Sequence, residues 1–425
     1  MKTRTEYDVV VIGSGPGGLA AAIAAKKEGA RHVLIIERDL ELGGILLQCI
    51  HNGFGLENLK KDLPGPSYAQ TYINQVHDLS VETMLDTMVL EITPERKIYT
   101  SGQYSGFNEI QSKAIVLAMG CRERTRSQIQ LPGSRPSGVY TAGTAQRWVN
   151  IEGYMPGNNF VILGSGDIGM IMARRLTLEG AKVERVLEVM PYLTGLTRNY
   201  VQCLLDYDIP LQLQHTVNQV FGTKRVEAIE SVQVDENWIP VPGSNEIIPC
   251  DTLLLSVGLI PENELSRKAG VLLDPLTGGP VVDEGFQTNV PGIFAAGNVV
   301  HVYDLVDWVT EAGYEAGASA ARFATNRIST DQRYTPIIPG ENVRYVMPQK
   351  LDVQTLQQRD IRLQFRVKKP IEEKVYLALS NENKMIQKSA VPYVRPGEMN
   401  TLLLHRSDYE NIRDSSNLIA SIIRK

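Results

Sequence analysis

Closely spaced cysteines are absent from this chain of 425 residues. The four cysteines are Cys49, Cys121, Cys203 and Cys250, and the nearest two in sequence lie 47 positions apart. A redox disulfide between sequence neighbours, a cysteine-bound iron–sulfur cluster and a structural zinc site all need closely spaced ligands, and the six histidines are scattered. The sequence therefore predicts no metal site, and cysteines that stay reduced in a reducing compartment.

The sequence also lacks a net basic charge and long hydrophobic runs. The chain has 43 Lys and Arg against 48 Asp and Glu, a net charge of −5, and no basic run that could follow a phosphate backbone. Residues 9–25 resemble a secretory signal, but their four glycines and one proline favour a strand, a turn and a helix. We expect no nucleic-acid partner, no transmembrane segment and a cytoplasmic protein, peripheral to a membrane only through a partner.

Two glycine-rich loops are the most informative feature of the sequence. Each follows an apolar strand, precedes a helix and has the pattern Gly-x-Gly-x-x-Gly: Gly13, Gly15 and Gly18 in the first copy, and Gly164, Gly166 and Gly169 in the second. In both copies a second strand ends in an acid, Glu37 or Glu188, 24 positions after the first glycine. The matched spacing predicts two copies of one βαβ unit.

The chemistry of a pyrophosphate explains this pattern. The first glycine permits a tight turn, the second lets the backbone approach the phosphates, and the third lets helix and strand pack closely. The helix N-terminus supplies N–H donors, and the acid accepts hydrogen bonds from ribose hydroxyls. Two such units predict two bound dinucleotides. Glu188 would repel a 2′-phosphate, which favours NAD over NADP, whereas Asp167 places an unfavourable charge in the second loop.

The chain is too long for one core and is predicted to be α/β. Three further apolar strands end in glycine: residues 114–118, 252–257 and 292–296. The first two complete the two dinucleotide-binding units, and the third returns to the first domain before a helix over 305–323. We predict two Rossmann-like domains, the second inserted in the first, with residues 1–125 and 280–330 in one and residues 126–279 in the other. Residues 331–425 are predicted to form a small β domain suited to partner docking.

These motifs, in this order, resemble the two-dinucleotide-binding flavoproteins related to thioredoxin and glutathione reductase. The resemblance covers about residues 5–325. Within that superfamily, residues 43–55 look like the branch whose members accompany glycerol-3-phosphate, opine, hydroxyproline and cyanide-forming glycine dehydrogenases as subunits. Two departures stand out: Asn298 replaces the usual Asp, and the redox cysteine pair is missing.

The resemblance implies FAD in the first domain and NAD(H) in the second. The FAD set is Gly13, Gly15, Pro16, Gly18, Glu37, Arg38, Gly43, Gly44, Val89, Ala118, Gly120, Gly297 and Asn298. The NAD set is Gly164, Gly166, Asp167, Ile168, Gly169, Glu188 and Gly258. The helix after Asp304 is expected to point its N-terminus at the flavin and stabilise the negative charge of its reduced form.

The expected function is an FAD-dependent oxidoreductase that exchanges a hydride between NAD(H) and flavin and passes electrons to or from a partner dehydrogenase of glycerol-3-phosphate or amino-acid/opine type. No catalytic side chain is assigned. Cys49 and His51 are candidates, against the simpler interpretation of a buried thiol and a loop histidine bound to backbone. Two alternatives stay open: an autonomous NADH oxidase or peroxidase using Cys49, and a structural FAD-holding subunit with a vestigial NAD site. A homo-oligomer is also compatible with the sequence.

Overall fold

The computed structural model describes residues 4–327 and 333–424. They form two compact units: residues up to 121 together with those from 261 onwards, and residues 122–260. The first stretch of the chain contains β1 (Glu6–Ile12), α1 (Pro16–Lys27), β2 (Val33–Ile36), α2 (Gly65–Asp78), β3 (Glu82–Met84), β4 (Thr87–Ile92), β5 (Lys97–Gly102), β6 (Gly106–Leu117) and β7 (Cys121–Glu123).

The first unit is built on a sheet with the order β3–β2–β1–β6–β5–β4. Strands β3, β2, β1 and β6 run parallel, and β4 to β6 form an antiparallel meander at the other edge. The β-branched residues of β1 and β2 are almost fully buried, as expected for parallel strands covered on both faces. The first glycine loop therefore leaves the sheet at the carboxyl end of a central strand, where α/β folds place ligands.

The second unit repeats this plan. Its elements are β8 (Val139–Thr141), α3 (Ala142–Arg147), β9 (Asn159–Leu163), α4 (Asp167–Leu178), β10 (Lys182–Glu188), α5 (Thr197–Cys203), β11 (Leu211–Leu213), β12 (His215–Phe221), β13 (Ala228–Gln233), β14 (Glu246–Pro249), β15 (Thr252–Leu255) and, at its border, β16 (Leu259–Pro261). A parallel sheet has the order β11–β10–β9–β15–β8, and β12, β13 and β14 form a small antiparallel sheet.

The rest of the chain belongs to the first unit. It contains α6 (Glu264–Lys268), β17 (Ile293–Ala295), α7 (Val306–Ala324), β18 (Tyr334–Pro339), β19 (Val343–Met347), β20 (Lys350–Asp352), β21 (Ile361–Val367), β22 (Val375–Ser380), β23 (Met385–Val391), β24 (Asn400–Leu404), α8 (Tyr409–Ile412) and β25 (Leu418–Arg424). Strand β17 pairs in parallel with β6, in the sheet to which the sequence assigns it. Helix α7 begins and ends one residue later than predicted.

Small residues bring α1 and α7 into close contact. A Cβ added at Gly313 would lie 2.3 Å from the carbonyl oxygen of Gly17, and one at Gly317 would lie 2.0 Å from that of Ala21. Both distances are shorter than any real contact, so only glycine fits at these two positions of α7. The long helix α7 is thereby fixed against the helix that follows the first glycine loop.

The observed units differ from the predicted domain borders in two places. The inserted unit ends at residue 260 rather than 279, because α6 and its flanks bind to the first unit: Lys268 donates to the Leu90 carbonyl, and the buried Asn263 amide donates to that of Val299 at 2.9 Å. The C-terminal β segment, residues 333–424, has its own hydrophobic core but is part of the first unit and does not form a third one.

A buried acid accounts for part of that second difference. The Glu284 carboxylate accepts hydrogen bonds from the Asp352 amide at 3.0 Å and the Thr355 hydroxyl at 2.6 Å, both in the C-terminal β segment. Burial and the charge of neighbouring Asp283 raise the pKa of Glu284 to about 7. The folded state therefore holds this proton more tightly than the unfolded chain does.

Replacing this acid should change how stability depends on pH. With a raised pKa in the folded state, the contribution of Glu284 is greatest below its unfolded pKa and falls as the pH rises towards 7. Glutamine does not titrate, so this loss is absent in Glu284→Gln. When the pH rises from about 5 to 8, the free energy of unfolding of the variant should therefore increase on the order of 1–3 kcal/mol relative to that of the unaltered protein. Denaturant unfolding at both pH values measures this, with the exposed Glu341→Gln as control. Equal pH profiles for all three proteins would contradict it.

Candidate functional site

The first glycine loop is shaped by backbone contacts that exclude side chains. Gly13 has φ +99°, and a Cβ there would lie 2.5 Å from the Ala118 carbonyl oxygen. A Cβ at Gly18 would lie 1.9 Å from the Gly13 carbonyl oxygen. At Gly15, by contrast, an added Cβ would meet no atom within 4 Å among the described residues that are not its neighbours in the chain. The loop is tightly packed underneath and open at its second glycine, which is where a pyrophosphate approaches the backbone.

Helix α1 starts at this opening with an uncapped end. Gly15 is the N-cap residue and Pro16 the first helical residue, and no side chain in the described part of the chain caps the terminus. The first turn of a helix has N–H groups without intrahelical partners and carries the positive end of the helix dipole. These donors and the open space at Gly15 fit the phosphates of a dinucleotide.

A buried acid supports the loop from below. Glu37 is 7% exposed, and its Oε2 accepts hydrogen bonds from the Ser14 amide at 2.8 Å and the Ser14 hydroxyl at 2.6 Å. The Ser14 Oγ also accepts the Gly43 N–H at 3.2 Å. Oε1 accepts the Asp39 amide at 2.9 Å, and a carboxylate oxygen has a second acceptor site that can take a ribose hydroxyl.

The second unit reproduces this arrangement residue for residue. The Glu188 Oε2 accepts the Ser165 amide at 2.9 Å and the Ser165 hydroxyl at 2.6 Å, while Oε1 accepts the Met190 amide at 2.9 Å. Thr194 occupies the position of Gly43, because its N–H donates to the Ser165 Oγ at 3.1 Å. A Cβ at Gly164 would lie 2.1 Å from the Ser256 carbonyl oxygen. Gly166 is the N-cap of α4, again without a capping side chain among the described residues.

We call each glycine loop, with the acid that braces it and the residue pair that packs onto it, a cradle. The first cradle consists of residues 13–18, Glu37 and residues 43–44, and the second of residues 164–169, Glu188 and residues 194–195. Among them, Ser14, Ser165, Thr194 and Gly195 were not predicted from the sequence as site residues. A signal for the pair Thr194 and Gly195 did exist, because Gly43 and Thr194 both stand 30 positions after the first glycine of their loops. A Cβ at Gly195 would lie 2.8 Å from the Ser165 carbonyl oxygen, much as one at Gly44 would lie 3.0 Å from the Gly15 Cα. In both cradles a glycine therefore packs directly onto the loop.

Asp167 has a defined partner in the second cradle. Its Oδ1 accepts the Leu196 amide at 2.9 Å and the side-chain amide of Asn199 at 2.7 Å, at the start of α5. The residue also lies in the first turn of α4, where the helix dipole favours an acid. The sequence suggested that the charge of Asp167 would oppose a pyrophosphate. In the structure this carboxylate is hydrogen-bonded to two donors of its own unit.

The remaining predicted residues of the FAD set are distributed around the first sheet. Val89 is a core residue of β4, and Arg38 is exposed beside Glu37. Ala118 and Gly120 follow β6, where the Ala118 amide donates to the Ile12 carbonyl at 2.9 Å. The Asn298 Oδ1 accepts the Tyr303 amide at 3.1 Å, and its Nδ2 lies 3.7 Å from the Cys121 sulfur. Asn298 follows Gly297, which has φ +75°.

The remaining members of the NAD set lie at the borders of the second loop. Ile168 is half-buried in the first turn of α4. Gly258, beyond β15, has φ +97°, and its carbonyl accepts the Arg124 amide at 3.0 Å. The Gly169 amide donates to the Ser256 hydroxyl at 3.0 Å, so the loop and the end of β15 are joined directly.

The loop with Cys49 and His51 is fixed to both α2 and α7. Asp307, 1% exposed in the first turn of α7, accepts the Gly55 amide at 3.3 Å and the Asn58 amide at 2.9 Å. The His51 Nδ1 lies 3.0 Å from the Asn52 carbonyl oxygen. The Cys49 thiol lies 3.3 Å from the Ile45 carbonyl oxygen, and burial raises its pKa to about 12. At neutral pH this thiol is protonated.

Across residues 4–327 and 333–424, no group of three or more His, Cys, Asp or Glu is arranged to hold a metal ion. Among the helices that the structure describes, none has the length and hydrophobicity needed to cross a bilayer.

Each unit combines parallel strands with a glycine loop that opens a helix and a buried acid that braces the loop, an arrangement typical of two-dinucleotide-binding oxidoreductases. The family model of the pyridine nucleotide-disulphide oxidoreductases matches residues 7–322, and the chain belongs to this family. Members of this family are FAD-dependent oxidoreductases that use NAD(P)H. The predicted α/β fold with two Rossmann-like domains and the predicted cofactor classes are thereby confirmed.

Curated relatives include components of larger enzymes. An opine oxidase subunit of Agrobacterium tumefaciens is 28% identical over 313 residues, which cover 69% of this chain and 61% of that protein. Hydrogen cyanide synthase subunit HcnB of Pseudomonas protegens is 24% identical over 337 residues, which cover 74% of this chain and 68% of that protein. The chain spans about three fifths of the length of the opine oxidase subunits it matches.

Among solved structures, the thioredoxin reductase of T. acidophilum is similar with a TM-score of 0.63 and 22% identity, and the match covers 77% of this chain and 100% of that one. This likeness supports the fold.

Alanine substitutions at Gly15 and Gly166 should affect the binding of FAD and of NAD⁺ separately. Gly15 and Gly166 have φ −65° and −64°, so alanine is unstrained, and at Gly166 its Cβ would make only an ordinary contact at 3.4 Å. Gly15→Ala should weaken FAD binding about tenfold or more and spare NAD⁺, and Gly166→Ala should do the reverse. Flavin fluorescence and calorimetry measure the two affinities, and thermal unfolding confirms intact folds. If either variant bound both cofactors normally, its cradle would not hold a dinucleotide.

Proposed function

We propose that this chain exchanges a hydride between NAD(H) in the second cradle and FAD in the first, and passes electrons to or from a separate dehydrogenase subunit. The observation that supports this most is the duplicated cradle: each unit has a second glycine at which an added Cβ would not clash, a helix N-terminus without a capping side chain among the described residues, and an acid that braces the loop. A protein that held a single dinucleotide would have no use for the second set.

The residues of the chain bind and orient the cofactors. The first turn of α1 and the backbone at Gly15 would hold the FAD pyrophosphate, and Glu37 would hold the ribose through Oε1. Gly166, the first turn of α4 and Glu188 would do the same for the nicotinamide dinucleotide. When bound, the two cofactors supply the hydride chemistry, so no side chain need act as a nucleophile. Asp307 fixes the loop at Gly55 against the start of α7.

The second cradle favours NAD(H) over NADP(H). Glu188 is 3% exposed, and a carboxylate at this strand end suits a free 2′-hydroxyl and opposes a 2′-phosphate. Arg185, three residues before Glu188 on the same strand, is bound elsewhere: its Nη1 donates to Gln212 at 3.2 Å and to Glu246 at 2.8 Å. The geometry supports the preference that the sequence suggests.

The proposal of an electron-exchanging partner rests on the cysteines of this chain and on the relatives. None of the four cysteines, all of which lie in the described ranges, forms a disulfide, so we propose that electrons reach or leave the flavin without a redox disulfide in this chain. The opine oxidase and hydrogen cyanide synthase relatives are by name parts of larger enzymes. We propose a partner dehydrogenase of glycerol-3-phosphate or amino-acid/opine type, and the C-terminal β segment as a docking surface for it.

The alternative of an NADH oxidase that works through Cys49 loses support. A sulfur that reacts with peroxide or flavin must be a thiolate, and the thiolate fraction falls tenfold for each unit by which the pKa exceeds the pH. With a pKa of about 12, the Cys49 thiolate is a negligible species at neutral pH. Cys49 lies at the end of a short 3-10 helix, residues 44–48, and Gly65 packs against it. A packing role accounts for the residue.

Turnover with an artificial electron acceptor tests this proposal. The FAD-loaded protein should reduce a dye at the expense of NADH, and more slowly with NADPH, because Glu188 disfavours the 2′-phosphate. Cys49→Ser should keep its NADH turnover within about twofold per bound FAD, since no thiolate takes part. Cys250→Ser, a buried cysteine of the second unit, is the matched control. Absence of dye reduction with both nucleotides would refute hydride exchange, and selective loss in Cys49→Ser would restore the oxidase hypothesis.

A further inference from the structure

A buried ion pair connects the C-terminal β segment to the stretch of chain that leads into α7. Arg366, on β21, pairs with Asp304, two residues before the start of α7. Only 15% of the arginine side chain and 9% of the aspartate side chain are exposed. Charges that have left water to this degree are stable only with good geometry and further hydrogen bonds, so the surroundings of the pair are informative.

Both members of the pair bind additional groups. Arg366 donates to the Val302 carbonyl at 3.2 Å, to the Tyr345 hydroxyl at 3.2 Å and to the Pro396 carbonyl at 3.2 Å. The second carboxylate oxygen of Asp304 accepts the Met399 amide at 2.6 Å. One planar guanidinium thus joins two strands and a loop of the C-terminal β segment to residues 302–304, a geometry that a lysine ammonium cannot reproduce.

The same stretch of chain is bound to a predicted cofactor residue at its other end. The Tyr303 amide donates to the Asn298 Oδ1 at 3.1 Å, so Asn298 and the Arg366 contacts hold residues 298–304 from both sides. His301 lies inside this stretch and is 1% exposed, with its ring centroid 4.0 Å from that of Tyr303 and 5.8 Å from that of Tyr345. Burial and the charge of Arg366 lower the pKa of His301 to about 3, so it adds no charge.

We propose that Arg366 is a positioning residue of the FAD site: through Asp304 and Val302 it fixes Asn298 and the N-terminus of α7, and thereby sets the affinity for FAD and the reduction potential of the bound flavin. The inference rests on the FAD site proposed above. It makes the C-terminal β segment, which the sequence assigned to partner docking, a structural part of the cofactor site. A reduced flavin carries negative charge that a helix N-terminus stabilises, so a displaced α7 should lower the potential.

The test compares Arg366→Met with Arg395→Met. Arg395 also lies in the C-terminal β segment and is ion-paired, but its partners Glu372 and Glu398 are both much more exposed than Asp304. Arg366→Met should bind FAD about tenfold or more weakly, and its bound flavin should have a more negative potential, whereas Arg395→Met should match the unaltered protein in both. The FAD affinity and the flavin potential of Arg366→Lys should lie between those of Arg366→Met and the unaltered protein, because lysine keeps the charge but lacks the planar guanidinium.

A thermodynamic cycle separates positioning from general stability. If Arg366 acts through Asn298, its replacement should cost much less FAD affinity in an Asn298→Ala background than alone. Unchanged FAD affinity and potential in Arg366→Met, or equal losses in the two backgrounds, would overturn the inference. Should Arg366→Met fail to fold, the double variant Arg366→Met/Asp304→Asn, which leaves no unpaired buried charge, is measured against the same criteria. Failure of the unaltered chain to bind FAD would instead refute the FAD site and this inference together.

Discussion

In the proposed function, the approach of a phosphate to bare backbone is the constraint on which the rest of the structure depends. The two negative charges of a pyrophosphate must meet N–H donors at a helix terminus, and a Cβ at the second glycine would occupy the same space. The glycines of each loop have no side chains that could make it rigid, so its serine binds a buried acid from the next strand. Ser14 with Glu37, and Ser165 with Glu188, provide that support through hydrogen bonds of 2.6 Å.

The same requirement extends outward from the first cradle. Because Gly313 and Gly317 let α7 lie against α1, the helix that starts at the glycine loop is packed on the helix whose N-terminus the family resemblance directs at the flavin. Asp307 accepts the Gly55 amide and so holds that loop at the N-terminus of α7. The ion pair between Asp304 and Arg366 holds the chain just before the same terminus. Residues distant in sequence thus meet around one helix terminus, which explains why the C-terminal β segment belongs to the same compact unit.

The sequence was sufficient wherever the physics is local. Gly13, Gly18 and Glu37 follow from the spacing of one βαβ unit, and the second copy strengthened the prediction of both cradles. The sequence was insufficient where the two partners of a contact are far apart in the chain. No pattern near Asp167 indicates its contact with the Leu196 amide, and Arg366 lies 62 positions from Asp304. The domain border at 260 was missed for the same reason, because the contacts of Asn263 and Lys268 are with remote carbonyl groups.

The proposed function requires that two equivalent cradles hold two dinucleotides that exchange a hydride. The decisive experiment is a titration of the FAD-loaded protein with NADH in the absence of oxygen, followed by the visible absorbance of the flavin. Complete bleaching of the flavin by one equivalent of NADH is expected. A flavin that stays oxidised while NADH binds to the second unit would refute hydride exchange.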